Sequence, residues 1–567
     1  MFRRVHRHAL GLSLATCSVA WIAGRLAGMG AMDDAYITFR CSRNLANGHG
    51  LVYNIGQHVE ATSNFLYAVA IGLGMKLGAH PEFAGLCLNF AALAFLLYVL
   101  CVEAGITDRD ALWDARRMSG IVWAIAAQPA MWVYAHSGME TIVFTALLFG
   151  GFLAVARSME KGIGGAWAGL WIALAATIRM EAAAFLVPSC AFLFLYSDRG
   201  IRVRRVIVTA LLFAAIFVPV AAYRYSFYGD LFPNTYYAKV DGGSLALAER
   251  GLVYIAQWFG TTLPAVGVMI GAVLAVRRGD DFTRRRTALG LVWIAGYMAY
   301  NIYVGGDYFS FGRFFVPVLP VFAWMTPTAV EFLPGRSAAS PDSAVRQRFW
   351  RRATTFFVIA LVWNVAYPLN GLKYYTQIEL VNAWARIGDV LRKKVPRETT
   401  LFLAPAGAIP YFSRLTSYDS LGLTDPVIAR RHVELGEGVA GHEKADYARV
   451  RELDPDLVFF FIEEPGVEVN LVLNEYFEMR ERYERGELKS DDVIEKPKSF
   501  EARRDTTFDF LFSTTMLAEY DLMELRYLHD RALFFVKKET DVAVKQAFVR
   551  VERPGAGKVT AAKKSSS

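Results

Sequence analysis

The 567 residues are 54% hydrophobic and 14% aromatic but only 20% charged, and their mean hydropathy is +0.28. A soluble chain of this length carries more charge, so a large apolar surface must face something other than water. The formal net charge of +8 does not signal nucleic acid, because the basic residues cluster between apolar runs instead of along one polar face.

A membrane-crossing helix takes about 20 mostly apolar residues, and the first such run is 9–29. Its basic start and apolar core also describe a signal peptide, but no small-x-small cleavage site follows, so it is read as a retained helix. Further spans are predicted at 82–104, 118–134, 139–156, 164–178, 182–196, 206–225, 254–276, 287–303, 314–331 and 353–370. Several are short, as expected where helices end at a recessed cavity. Residues 62–79 carry Lys76 and several glycines, and loop charge decides their reading. With Arg3, Arg4 and Arg7 in the cytoplasm and 62–79 left uncounted, every alternate loop is basic: Arg116-Arg117, Arg157 with Lys161, Arg199 through Arg205, Arg277 through Arg286, and Arg346 through Arg352. Residues 62–79 are therefore an interfacial helix or one that only dips into the bilayer. About eleven spans of an inner (plasma) membrane protein follow, with residues 371–567 on the periplasmic or exterior side.

The cysteines add no framework. Of Cys17, Cys41, Cys87, Cys101 and Cys190, four lie inside apolar runs, and none lies beyond residue 190. No cysteine-histidine spacing resembles a zinc site.

The loops on the outer side carry the polar groups. Asp33 and Asp34 come first, with Arg40, Arg43 and Glu60; then His136 and Glu140; then Arg179 and Glu181. Tyr228-Gly-Asp-Leu-Phe-Pro-Asn-Thr-Tyr-Tyr-Ala-Lys239 and Gly305-Gly-Asp-Tyr-Phe-Ser-Phe-Gly-Arg313 complete the set. Taken singly, each has a plain reading. Arg179 and Glu181 suit a structural pair, Asp230 and Asn234 around Pro233 suit a turn, and Asp33-Asp34 suit a helix start before Ala35. Together they gather acids and bases at one end of the bundle, and charges at that depth usually line a cavity or pair with each other. A carboxylate there can take a proton from a hydroxyl. Arginine and lysine can hold a phosphate by charge-assisted hydrogen bonds. Sugar transfer from a lipid-linked phosphate needs both, since the leaving phosphate is an anion and fixed cations stabilise it.

The run Asp33-Asp-Ala-Tyr-Ile-Thr-Phe-Arg-Cys-Ser-Arg-Asn-Leu-Ala-Asn-Gly-His-Gly-Leu-Val-Tyr-Asn-Ile-Gly-Gln-His-Val-Glu60 resembles the first outer loop of cell-wall arabinofuranosyltransferases of the glycosyltransferase C superfamily. The likeness is to the family that adds the terminal β-(1→2) arabinofuranose of mycobacterial arabinan. Ser137-Gly-Met-Glu-Thr141, Arg179-Met-Glu181, the Pro-Asn-Thr segment, Gly-Gly-Asp307 with Arg313, Ala406-Gly-Ala-Ile-Pro-Tyr-Phe-Ser413 and Gly422-Leu-Thr-Asp425 are similar to its later signatures, and the likeness runs to about residue 460. It implies a membrane all-α bundle with a C-terminal extracytoplasmic α/β domain, a polyprenyl-phosphate sugar donor, and an envelope glycan or glycoprotein acceptor. It also implies catalytic roles for Asp33 and Asp34 in an outer loop 30–62. Arg40, Arg179, Lys239 and Arg313 would hold the donor phosphate, supported by His136, Glu140, Glu181, Asn234 and Asp307. Two adjacent side chains diverge, so the aspartates take unequal roles; Asp33, nearer the first span, is the expected base. The chain departs from the expected pattern in having Met180 where a proline is expected and Ala61 where a glycine is expected, so the substrate pocket differs there.

The domains expected are 1–371 for the membrane bundle, 372–545 for the α/β domain and 546–567 for a disordered basic tail. Leu401-Phe-Leu403 and Leu457-Val-Phe-Phe-Phe461 read as buried strands. Ile378 through Lys394, with Val381, Trp384, Ile387 and Leu391 on one face, and residues 443–452 read as helices. No metal site is read. Asp33 and Asp34 form a thin ligand set, so a divalent cation stays open, and no other cofactor is expected. A transporter or flippase of lipid-linked glycans is the alternative; transporters often show internal repeats and midplane polar residues, and neither is clear in this sequence. A glycan-binding protein anchored by its bundle leaves Asp33-Asp34 unexplained.

Overall fold

The computed structural model describes the chain except residues 1–5, 107–113, 163, 241–243, most of 334–369, 445, 463–468, 489–513, 527–531, 552 and 554–567. The N-terminal part is a helical bundle: α1 (Arg7–Leu26), α2 (Asp33–Ala46), α3 (Phe65–Lys76), α4 (Pro81–Glu103), α5 (Ala115–Ile121), α6 (Pro129–His136), α7 (Thr141–Lys161), α8 (Trp167–Ala176), α9 (Leu186–Tyr196), α10 (Arg202–Tyr228), α11 (Asn234–Lys239), α12 (Leu245–Thr261), α13 (Leu263–Arg278), α14 (Asp281–Val304) and α15 (Leu319–Phe332). Short 3-10 turns at Met180–Phe185 and Arg313–Val318 lead into α9 and α15.

Six helices among the described residues are long and apolar enough to cross a membrane: α1, α4, α7, α10, α14 and the Arg313–Phe332 stretch ending in α15. Four of the remaining expected spans take other forms. The run 118–134 is interrupted, because Pro129 lacks an N–H and drives Gln128 to an extended conformation (φ −102°, ψ 107°) between a π turn and α6. The run 254–276 is two helices, α12 and α13, bent by 99° where Thr262 leaves the helical region and Pro264 starts the next turn. The runs 164–178 and 182–196 form the shorter helices Trp167–Ala176 and Met180–Tyr196. The expected span 353–370 lies almost entirely outside the described residues. Helix α3, covering the doubtful 62–79, has 12 residues and is about 18 Å long, too short to cross alone.

The bundle core is aromatic. Phe152 meets Trp293 and Trp324 edge-on, with centroids at 5.3 and 5.0 Å, and Phe185 covers Trp293 at 4.7 Å. These rings are large apolar payloads in staggered geometry, which holds α7, α14 and α15 at fixed spacing below the site.

Helix α16 (Asn370–Lys394) opens the C-terminal domain. Strands β1 (Thr400–Leu403), β2 (Thr416–Asp419), β3 (Leu457–Ile462), β4 (Tyr520–Leu525), β5 (Ala532–Lys537) and β6 (Phe548–Arg550) form one sheet in the order β2-β1-β3-β5-β4-β6. β1 runs parallel to β2 and β3, and the other pairs are antiparallel. Side chains alternate between faces. Leu401, Leu403 and Leu457 pack with Ile387 and Leu391 of α16, while Phe402 and Val458 pack with Leu473 and Tyr476 of the helix Val469–Glu484. The sheet extends past residue 545, since β6 pairs with β4 up to Arg550. The expected helix at 443–452 is only a 3-10 turn, Tyr447–Arg449, and one turn at Val450–Leu453. Its start is drawn into a loop by Lys444 Nζ donating to the Ala429 carbonyl at 2.9 Å and Asp446 N donating to the Ser420 carbonyl at 2.9 Å.

Candidate active site

Helix α2 is short and amphipathic, with both acids in its first turn, where the helix dipole favours negative charge. A short helix, α17 (Ala408–Ser413), follows β1 and packs against α16 and α2. Gly407 is required at that contact: a Cβ there would lie 2.0 Å from the Asp33 carbonyl oxygen. Beside this junction is a cavity of about 790 Å³, walled by α2, residues 61–64, the Met180–Phe185 turn, α11, α14, the 306–314 segment, and Leu423, Ala440 and Gly441 of the C-terminal domain. Four carboxylates (Asp34, Glu140, Glu181, Asp307) and four cations (Arg179, Lys239, Arg250, Arg313) line it. Phe185, Phe217, Phe232 and Tyr303 make part of its wall apolar.

Most of these charges are already paired. Arg313 forks onto Asp307, with Nε at 2.6 Å and Nη2 at 3.0 Å from the two carboxylate oxygens, and both side chains are buried. The Gly305-Gly306 turn before Asp307 has φ of 75° and 76°, and a Cβ at Gly306 would meet the Tyr254 ring at 2.7 Å. Arg179 lies between Glu181 at 2.6 Å and Glu140 at 3.4 Å, with its guanidinium 4.8 Å from the Phe314 ring centroid. Arg250 pairs with Glu443 of the C-terminal domain at 2.9 Å and donates to the Gly305 carbonyl at 2.9 Å. Two charges differ. Among the described residues, neither Asp34 nor Lys239 makes a hydrogen bond or an ion pair, and both are half-buried at the cavity.

Asp33 is committed elsewhere. Its carboxylate accepts from Gly407 N at 3.0 Å and Ala408 N at 2.7 Å, and it does not line the cavity. Burial pushes its carboxyl up to about 7, against the opposing pull of the Ala408 and Gly407 N–H groups and helped by the Asp34 charge.

Arg40, expected at the donor phosphate, does not line the cavity. It is buried between the domains, where Nε donates to the Tyr53 carbonyl, Nη1 to Pro410 O, and Nη2 to Asn54 Oδ1 and Leu415 O, at 2.5–2.8 Å. Four of its five N–H groups are thus used, two on the loop after α2 and two in joining α2 to the C-terminal domain. His136 is also away from the cavity, packed under Gly24 of α1 and edge-on to Phe90 at 5.0 Å, with Nδ1 2.8 Å from Trp132 O. Asn234 is a clamp: Nδ2 donates to Gly422 O at 2.8 Å and Leu423 O at 3.1 Å. Glu140, Glu181, Asp307, Arg179, Arg313 and Lys239 do come together. So do Ala61 and Met180, the two departures from the expected motifs. Arg250 was not expected, because it sits within an amphipathic helix and its partner is far away in sequence. Among the described residues no group of three or more His, Cys, Asp or Glu side chains converges as a metal site.

Residues 370–510 match a family described as "Domain of unknown function (DUF8728)". A terminal beta-(1->2)-arabinofuranosyltransferase of Corynebacterium glutamicum is 27% identical over 339 residues, 53% of this chain and 47% of that protein. Its namesake from Mycobacterium tuberculosis is 26% identical over 298 residues, 49% of this chain and 46% of that protein. The chain therefore spans about half the length of the curated relatives it matches. ArnT from Cupriavidus metallidurans in the apo state superposes with a TM-score of 0.50 at 14% identity, covering 92% of this chain and 97% of that one. The chain is similar in sequence to the terminal arabinofuranosyltransferases over about half its length, and its fold, a helical bundle with several long apolar helices and a C-terminal sheet, resembles that of ArnT.

Proposed function

We propose that the chain is an integral-membrane glycosyltransferase that moves a sugar from a polyprenyl-phosphate donor to an extracytoplasmic glycan or glycoprotein, with arabinofuranose the sugar its resemblance favours. One observation carries this reading. Among the described residues, a cavity large enough for a sugar phosphate presents one unpaired carboxylate, Asp34, and one unpaired ammonium, Lys239, while its other charges are fixed in pairs. In the reaction, Asp34 takes the proton of the acceptor hydroxyl as that oxygen bonds to the anomeric carbon. The bond from that carbon to the phosphate oxygen breaks with its electron pair, so the phosphate gains a negative charge as it leaves. Lys239 stabilises that growing charge in a site of low dielectric. Arg179 and Arg313 then hold carboxylates in place instead of gripping phosphate. The apolar wall between α10 and α14 suits the lipid chain.

The orientation follows from the long helices. Arg202, Arg204 and Arg205 lie at the start of α10, while Asp230 through Lys239 follow its end, about 40 Å away along 27 residues. Helix α14 likewise starts beside Arg284–Arg286 and ends at the cavity. The basic ends belong in the cytoplasm, so the cavity and the C-terminal domain belong outside. On this reading the shorter helices are also taken as passes, and with the expected span at 353–370, which lies almost entirely outside the described residues, they bring the total to about eleven crossings, as loop charge requires. To test the activity, the purified protein in nanodiscs is given a labelled polyprenyl-phosphate arabinofuranose and an arabinan acceptor. Labelled acceptor supports the reading. If labelled donors carrying arabinofuranose or hexoses are all bound but none is transferred, the flippase alternative is favoured.

A further inference from the structure

The cavity wall next to α2 carries uncharged polar groups that the proposed reaction does not use. Thr38 lies one helical turn beyond Asp34 on α2, on the same face and about 6 Å further along the axis. Thr62 Oγ1 donates to Asn64 Oδ1 at 2.5 Å. Asn64 Nδ2 donates to Thr38 Oγ1 and to Glu140 Oε2, each at 3.0 Å. All four side chains are buried, yet all four line the cavity.

We propose that Thr38, Thr62, Asn64 and Glu140 form the subsite that reads the hydroxyl groups of the transferred sugar, a neutral polyhydroxylated ring. This rests on the glycosyl-transfer reading above. Three features lead to it. The charges on this wall are two carboxylates, Glu140 and Glu181, against one cation, Arg179, so a phosphate is repelled from it. Hydroxyls donate and accept, an amide does both through separate atoms, and a carboxylate accepts; that mixture matches a ring carrying several hydroxyl groups and does not match a lipid chain. The spacing also fits. A ring held at Thr38 places its edge one helical turn back, at Asp34, where the new bond forms. The network is pre-organised, because each of its members is fixed by another, and such a site rejects a ligand lacking the matching hydroxyl by leaving buried groups unpaired. Ala61, which precedes Thr62, lines the same wall.

The test compares two probes on the full-length protein in nanodiscs: a polyprenyl phosphate without sugar, and the same lipid phosphate carrying the sugar that the wild type binds most tightly. Thr62→Val is expected to weaken the sugar-bearing lipid about tenfold and leave the sugar-free lipid unchanged, the loss of one or two hydrogen bonds in a buried site. Thr62→Ser is expected to restore the wild-type ratio. Thr38→Val serves as the second variant if Thr62→Val does not fold, with the same expected ratio. Equal weakening of both probes, or of neither, overturns the subsite. Failure of the wild type to bind the sugar-free lipid phosphate overturns instead the donor class, and the subsite with it.

Discussion

Asp33 and Ala408 are 375 residues apart in the chain, yet the Ala408 N–H donates to the Asp33 carboxylate at 2.7 Å. With the Gly407 N–H at 3.0 Å on the other oxygen, this bond ties the first turn of α2 to the start of α17. The first of the two adjacent acids thus joins the domains, and the second faces the cavity.

That division predicts what Asp33→Ala does. Two backbone N–H groups lose their acceptor in a buried junction, at a cost of about 1–3 kcal/mol for each group left unsatisfied. Hydrogen exchange should rise in residues 404–413, and the melting temperature should fall, while Asp34 keeps its place. Unchanged exchange across 404–413 contradicts the joint.

The same junction responds to pH. Burial raises the Asp33 carboxyl from 3.8 to about 7. Between about pH 4 and 7 the folded chain therefore holds a proton that the unfolded chain has lost, so this group's stabilising contribution is greatest at the low end and falls as pH rises through 7. Asp419, buried under its own loop at 2.9 Å from Leu421 N and 3.0 Å from Thr424 N, is raised to about 7 as well and acts in the same sense. The melting-temperature advantage of wild type over Asp33→Asn should shrink from pH 5 to pH 8. An advantage that grows with pH contradicts the assignment.

Lys239 and Arg313 are predicted to differ, although both are cations at the cavity. Lys239→Met removes an unpaired charge, so the protein should melt normally and bind a polyprenyl phosphate more weakly by about 2 kcal/mol, roughly thirtyfold. Arg313→Met leaves Asp307 buried alone, so it should cost about 3–5 kcal/mol of stability. Thermal melts and lipid-binding isotherms of both variants check this, and a Lys239→Met variant with wild-type affinity contradicts it.

Topology reporters provide an independent check. Fusions after Arg204 and Arg285 should report the cytoplasm, and fusions after Asp230 and residue 450 the outside. A cytoplasmic signal at residue 450 removes the extracytoplasmic acceptor from the account.

The bundle was legible in the sequence where hydrophobicity alone decides: α4, α10 and α14 are continuous apolar runs with a basic loop at one end. The breaks were not, since Pro129 and Pro264 act on conformation and leave composition unchanged. Strands β1 and β3 were readable as apolar runs, whereas β2, Thr-Ser-Tyr-Asp, has a pattern set by its neighbours. Of the acids and bases read at one end of the bundle, Glu140, Arg179, Glu181, Lys239, Asp307 and Arg313 do line one cavity; the Arg179–Glu181 pair was readable from its spacing, whereas the pairing of Arg250 with Glu443 was not. Arg40 looks like a phosphate ligand until Pro410 and Leu415 come to rest against it, and Asp33 looks like a base until Gly407 and Ala408 do. Contacts across some 370 residues leave no local pattern.

The most direct test is the transfer rate of Asp34→Asn, measured with a polyprenyl-phosphate sugar in parallel with Asp33→Asn. Removal of a general base typically lowers a rate by about 10²–10⁴. Asp34→Asn should fall by that amount while still binding the sugar-free lipid phosphate, and Asp33→Asn should retain the larger part of its rate wherever it stays folded. Transfer by Asp34→Asn at the wild-type rate would contradict the account.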